Sequence, residues 1–161
     1  MSALDLVTVL TIAVVLLFDL TNGFHDTANV VATPIASHAL SPRQAILIVT
    51  VFEFLGPLLG GTAVANTIGK FLDLGGLDDA AALRVLLAGC LGAIAWNLLT
   101  WRIGLPSSSS HALVGGLLGP GVLAAGAHNV HWGFDVLVER HHLTGVAKIV
   151  TGLLLAPIIG L

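Results

Sequence analysis

Charged residues are scarce in this chain. Lys, Arg, Asp and Glu together make up 9% of its 161 residues, against about 25% in a soluble domain. An ordinary water-soluble fold is excluded on that ground. Basic residues are scarcer still, and they form no patch that could hold nucleic acid. Cysteine is nearly missing: Cys90 stands alone in an apolar stretch. No intrachain disulfide can form, and the thiol reads as a small packing group. The amino end, Met1-Ser-Ala-Leu-Asp5, lacks a basic region, and no small-residue cleavage site follows Leu17. The first apolar run is therefore expected to be a retained span rather than a signal peptide.

What remains is apolar. Hydrophobic residues reach 56% and the mean hydropathy is +0.99, which makes this an integral membrane protein of multi-pass, all-α architecture. Nineteen glycines suit helices packed closely in a bilayer. Residues 3–20 form the first candidate helix, and residues 27–40 are too short to cross alone, since a span takes about 20 apolar residues. Between them, Thr21 and Asn22-Gly23 suggest a broken helix, so 27–40 is read as a half-helix or the lower part of a broken span. Pro42 suits the first turn of a second span over 44–69, which carries a lone Glu53 and a Gly56-Pro57 interruption. Residues 70–84 read as a solvated loop. A third span over 82–101 ends in Trp96-Asn-Leu-Leu-Thr-Trp101-Arg102, an interfacial anchor by its composition. Residues 103–127 are apolar but cut by Pro106, by Ser107 to Ser110 and by Gly119-Pro-Gly121. A re-entrant hairpin or discontinuous helix fits them better than one straight span. Residues 128–142 are polar, and 143–161 begin a last span. His128, His131, His141 and His142 read as a solvated segment, because no cysteine ligands accompany them. Arg43 in the first short turn and the acidic 70–84 loop put that turn in the cytoplasm.

Two polar stretches sit where helices are expected to break. The first holds Asp19, Asn22, His25, Asp26, Thr27 and Asn29; the second is Ser107, Ser108, Ser109, Ser110 and His111. Charge at membrane depth is costly, which makes Asp26 and Asn29, about a turn apart, a functional pair. Asp19 is either an interfacial residue or an ion ligand, and Glu53 is expected to be buried, a second coupling group. A serine-rich helix start with free N–H groups attracts an oxyanion. No Lys or Arg stands nearby, so a bound anion would lie beside Asp26 and be repelled. A proton on Asp26, or a cation between the two, removes the conflict. Anion and cation then bind better together than apart, which is the thermodynamic basis of symport. Phosphate can accept from Ser and Asn while donating to a carboxylate; sulfate has no proton to donate.

Asn22-Gly-Phe-His-Asp-Thr-Ala-Asn29 with Val-Ala-Thr33 resembles the signature of the inorganic phosphate transporter family. Gly104-Leu-Pro-Ser-Ser-Ser-Ser-His111 resembles that family's serine motif, and the similarity extends over the whole chain. The resemblance implies a plasma-membrane symporter of inorganic phosphate driven by protons or sodium. Asp26, Asn29, Thr27 and Ser107 to Ser110 would contact substrate. Asp19, Asn22, His25, Asp26, Glu53 and His111 would serve the coupling cation. His25 stands where many members carry Asn; relatives with His there are commonly proton-linked and accept a neutral metal–phosphate complex. The family has two inverted repeats, whereas this chain carries one copy of the signature. It is expected to be the amino-terminal half, completed by a missing carboxy-terminal repeat or by a second copy in opposed orientation. Two other classes compete: an intramembrane Ser/His hydrolase and a non-transporting structural bundle. Ser109 and His111 are sequence neighbours, whereas a nucleophile and its base usually converge from separate elements. No Gly-x-Ser-x-Gly elbow occurs.

Overall fold

The computed structural model describes residues 3–61, 66, 70–133 and 143–160. Within them are five α-helices: α1 (Ala3–Ala36), α2 (Pro42–Gly60), α3 (Asp79–Ile103), α4 (Ser109–Ala125) and α5 (Gly145–Ile159). Helix α1 is unbroken through Asn22-Gly23, contrary to the expected interruption. The poor local propensity there costs about 1 kcal/mol. Opening a helix in hydrocarbon would strand several backbone groups at several kcal/mol each, so the intact helix wins. The 27–40 segment is thus largely the continuation of α1, whose 34 residues extend about 51 Å.

The remaining helix ends follow from their caps. At α2, Ser41 and Gln44 satisfy each other's backbone N–H groups, with Pro42 in the first turn. Asp78 Oδ1 accepts from the Ala81 N–H at 2.7 Å to start α3. Gly104, at φ 69° and ψ 25°, stops it in the left-handed conformation that glycine adopts without strain. Ser108 caps α4. Helix α5 has no side-chain cap; the Val146 and Ala147 N–H groups donate to the carbonyls of His131 and Trp132 at 2.8 and 2.9 Å. Gly119-Pro120-Gly121 does not cut α4. A Cβ on Gly121 would collide with Leu72, so that glycine serves a close approach rather than a bend.

Helices α1, α2 and α3 are long and apolar enough to cross a membrane; α4 and α5 are shorter apolar helices. Large apolar side chains cover the outside, among them Phe52, Phe54, Leu58 and Leu59 of α2. That surface suits lipid and not water.

Helices α1 and α3 run parallel and in step: Phe18 packs on Ala93 and Ile94, and seven residues on His25 meets Thr100. The same offset sets Asn22 level with Asn97. Helices α3 and α4 form an antiparallel hairpin, tightest at Gly89 and Gly116. A Cβ on Gly116 would overlap the Gly89 carbonyl, and one on Gly89 would come within 2.5 Å of Leu117 Cδ2. Small residues let the two backbones touch. Helix α3 ends at Ile103, three residues past Thr100, and the hairpin turns over Gly104–Ser108, whereas α1 continues eleven residues past His25. With parallel axes the turn lies about 12 Å short of the end of α1. Ser109–Ala125 form one continuous helix of 17 residues rather than the re-entrant hairpin or discontinuous helix expected over 103–127.

At the opposite end, Lys70, Asp73 and Asp78 are exposed as expected of a solvated loop, and Phe71 pins that loop to the bundle. Phe71 is fully buried with Leu117, Val130 and Val146. Leu72 pairs with Val130 in an isolated bridge. Of the polar 128–142 segment, His128 and His131 are exposed, while His141 and His142 lie outside the described residues. Among the described residues no cluster of His, Cys, Asp or Glu could hold a metal.

Candidate functional site

The site grows from one face of α1, where Phe18, Thr21, Asn22 and His25 turn toward α3. His25 is 4% exposed. Its Nδ1 lies 3.1 Å from Asp26 Oδ1, and its Nε2 lies 3.3 Å from Thr100 Oγ1 of α3. Thr100 also donates to the carbonyls of its own helix, Trp96 at 2.9 Å and Asn97 at 3.1 Å. Asp26 faces the other way as well: its Oδ2 accepts from Ser109 Oγ at 2.7 Å. A short hydroxyl–carboxylate bond of this kind is charge-assisted. A continuous chain of hydrogen bonds thus runs from α3 through α1 to α4: Thr100, His25, Asp26, Ser109.

The serines divide their work. Ser109 turns to α1. Ser107 Oγ accepts from Trp96 Nε1 at 2.8 Å, which fixes the hairpin turn to α3. Ser108 Oγ accepts from the His111 N–H at 3.4 Å and so caps α4. Beside this turn lies a cavity of about 470 Å³, with Trp96, Ser107, Ser108, His111, Gly92 and Gly116 on its walls. Asp26 does not line it. The carboxylate meets the serine motif through Ser109, on the other face of the same helix start.

Of the residues singled out from sequence, the structure joins His25, Asp26 and Ser109 directly and puts Ser107, Ser108 and His111 next to them. Asn22 lies one turn before His25 on the same seam. Thr27 is half-buried and Asn29 exposed, and neither bonds to the cluster. Ser110 and Asp19 are exposed. Glu53, expected to be buried, is exposed on α2 and outside the hydrogen-bonded chain. Three contributors were missed. Thr100 and Asn97 lie inside the segment read as an interfacial anchor. Their three-residue spacing was the available signal, since it puts both on one buried helix face. Trp96 was read as part of that anchor, yet it also holds the serine turn. Asn97 is completely buried, and neither its amide nitrogen nor its oxygen has a partner; Asn22 Oδ1 is likewise unpartnered.

Fold and site together define an integral membrane helical bundle with a hydroxyl-rich helix start joined to a carboxylate–imidazole pair inside it. The chain belongs to the phosphate transporter family, which matches residues 22–161. It is 45% identical over 160 residues to a probable low-affinity inorganic phosphate transporter of Streptomyces halstedii, covering 98% of this chain and 68% of that one. A protein of the same description from Bacillus subtilis is 42% identical over 163 residues, covering 98% and 48%. A low-affinity inorganic phosphate transporter of Escherichia coli is 40% identical over 159 residues, covering 97% and 31%. The chain thus spans from about a third to two thirds of these relatives. No solved structure matches it.

Proposed function

We propose that the chain supplies one repeat of a cation-coupled symporter of inorganic phosphate in the plasma membrane. The other repeat, or a second copy in opposed orientation, completes the path. The observation that carries this reading is the 2.7 Å bond between Ser109 and Asp26, because it unites the hydroxyl-rich and the acidic motif across 83 residues of sequence. Phosphate is held at the start of α4, where free N–H groups, Ser107, Ser108 and the helix dipole favour an anion. No Lys or Arg belongs to that turn, so the carboxylate of Asp26 opposes the anion until a cation joins it. A proton on the Asp26–His25 pair answers that need without a metal. Phosphate travels either free or as a neutral complex with a divalent metal. Thr27 and Asn29, on the stretch of α1 that follows Asp26, and the exposed Asp19 and Glu53 are assigned to substrate and cation contacts made with the completing repeat.

The hydrolase alternative loses ground in this geometry. In a Ser–His–Asp arrangement the serine bonds to the imidazole, whereas Ser109 bonds to the carboxylate of Asp26 and His25 to Asp26 and Thr100.

The test is uptake of radiolabelled phosphate into proteoliposomes containing the completed protein, under an imposed pH or sodium gradient. Uptake is expected to follow the gradient of one cation and to collapse in Asp26→Asn, which keeps the shape and removes the charge. A wild-type rate in that variant would take Asp26 out of the mechanism.

A further inference from the structure

His25 is almost wholly buried, so both ring nitrogens need partners inside the protein. Nδ1 faces a carboxylate oxygen, which cannot donate unless protonated. A hydrogen must therefore lie between Nδ1 and Oδ1 for their 3.1 Å contact to be a bond. Nε2 is the end that can vary. It faces the hydroxyl of Thr100, a group that both donates and accepts.

The geometry points to Thr100 as a positioning residue: its single hydroxyl hydrogen, turned to a helix carbonyl or to His25 Nε2, lets the His25–Asp26 pair, its imidazole buried and its carboxylate partly exposed, take up and release one proton. As found, Thr100 Oγ1 is closer to the Trp96 carbonyl, at 2.9 Å, than to Nε2, at 3.3 Å. With the hydroxyl hydrogen on a carbonyl, a lone pair faces the ring. Nε2 carries a hydrogen in that arrangement, and so does the Nδ1–Oδ1 contact. The pair holds one proton more than a carboxylate with a neutral imidazole, and its net charge is zero. When the Nε2 proton leaves, the hydroxyl rotates and donates to the bare nitrogen. Nδ1–H still donates to the carboxylate, and the pair becomes singly negative. The Trp96 carbonyl keeps its helical N–H in both states. No heavy atom needs to move, and no buried ring nitrogen is left alone.

The charged and titratable groups around the pair are few. On α1 itself Asp19 is exposed. Helix α3 brings Thr100, Asn97 and Trp96 to the contact, all uncharged, with Arg102 exposed beyond them. Helix α4 contributes His111, exposed. Helix α2, packed on α1, carries Arg43 and Glu53, both exposed. The pair's own proton is thus the main change in charge at this depth.

The role of the relay in transport rests on the phosphate reading; the state of the ring does not, and the experiment separates them. The protein is labelled with [15N]histidine in lipid, His25 is assigned by its loss in His25→Asn, and the ring is followed by NMR against pH. Nδ1 is expected to stay protonated throughout while Nε2 goes from protonated to bare as pH rises. Thr100→Ser, which keeps the oxygen, should titrate like the parent. Thr100→Val removes the partner of a charged donor in one state and of a neutral acceptor in the other. The charged bond is the stronger, so the transition should move down by about half a pH unit or more. The fall in phosphate affinity with rising pH should move with it. An Nδ1 that is bare at any pH in the parent, or Thr100→Val titrating like the parent, overturns the relay. A ring that behaves as expected in a protein that binds no phosphate at any pH upholds the relay and removes the phosphate reading instead.

Discussion

Ser109→Ala deletes one hydroxyl from a 7% exposed position and leaves the backbone of α4 in place, because the cap belongs to Ser108. The loss is the 2.7 Å bond to Asp26 Oδ2. Hydrogen bonds to charged groups contribute about 1.5–3 kcal/mol. The Asp26 side chain is 36% exposed, so water replaces part of the contact and the lower figure applies. About 1.5 kcal/mol is roughly a tenfold change in an equilibrium. In phosphate uptake by proteoliposomes the apparent Michaelis constant should therefore rise by up to about tenfold, the limit in which the whole bond serves to hold the binding turn in place, with the maximal rate much less affected. Ser109→Thr keeps the oxygen and should restore most of the affinity. Ser110→Ala, at the exposed neighbour, should change little. An unchanged constant in Ser109→Ala, or an equal change in Ser110→Ala, would refute the claim that this one hydroxyl joins the two motifs.

Two further substitutions probe the packing around the site. Asn97→Leu removes a fully buried amide that makes no hydrogen bond; since each unpaired polar atom costs about 1–3 kcal/mol, thermal unfolding in detergent should shift upward while phosphate uptake falls. A lower melting temperature would show that the amide is structurally satisfied. Gly116→Val forces a side chain into the Gly89 carbonyl and to 3.3 Å from the Ala93 nitrogen. It should destabilise the protein by about 1–3 kcal/mol and, by spreading α3 from α4, alter the fluorescence of Trp96. An unaltered melting curve would mean that the crossing is looser than described.

Much of this arrangement was legible in the sequence. Pro106 was legible as an interruption because it restricts the backbone by local covalent structure. The serine run then starts α4 for a reason equally local, its capping oxygen. Asp26 and the serines could be paired in thought because burying charge is costly wherever it happens. The misreadings have one source. Asn22-Gly23 and Gly119-Pro120-Gly121 carry the local signals of a break, yet both lie within continuous helices. Nothing local records that an open helix in lipid is worse than a poor one. Nor does the segment itself record that Leu72 comes down on Gly121. Thr100 and Asn97 escaped notice for a related reason: their role follows from the offset between α1 and α3, which only the packed pair defines. Glu53 was expected to be buried because it is charged within an apolar helix, but α2 touches α1 along a limited strip and leaves that residue outside.

The hairpin stops about 12 Å short of the end of α1, and the symport proposed above would set the Asp26–His25 pair below the face of the membrane. A full elementary charge crossing a 100 mV potential gains or loses about 2.3 kcal/mol. A proton that reached the pair from one side would traverse a fraction of that drop, and the remainder on leaving by the other. Occupancy of the site would then be set by voltage as well as by pH, and the membrane potential would become part of its energetics.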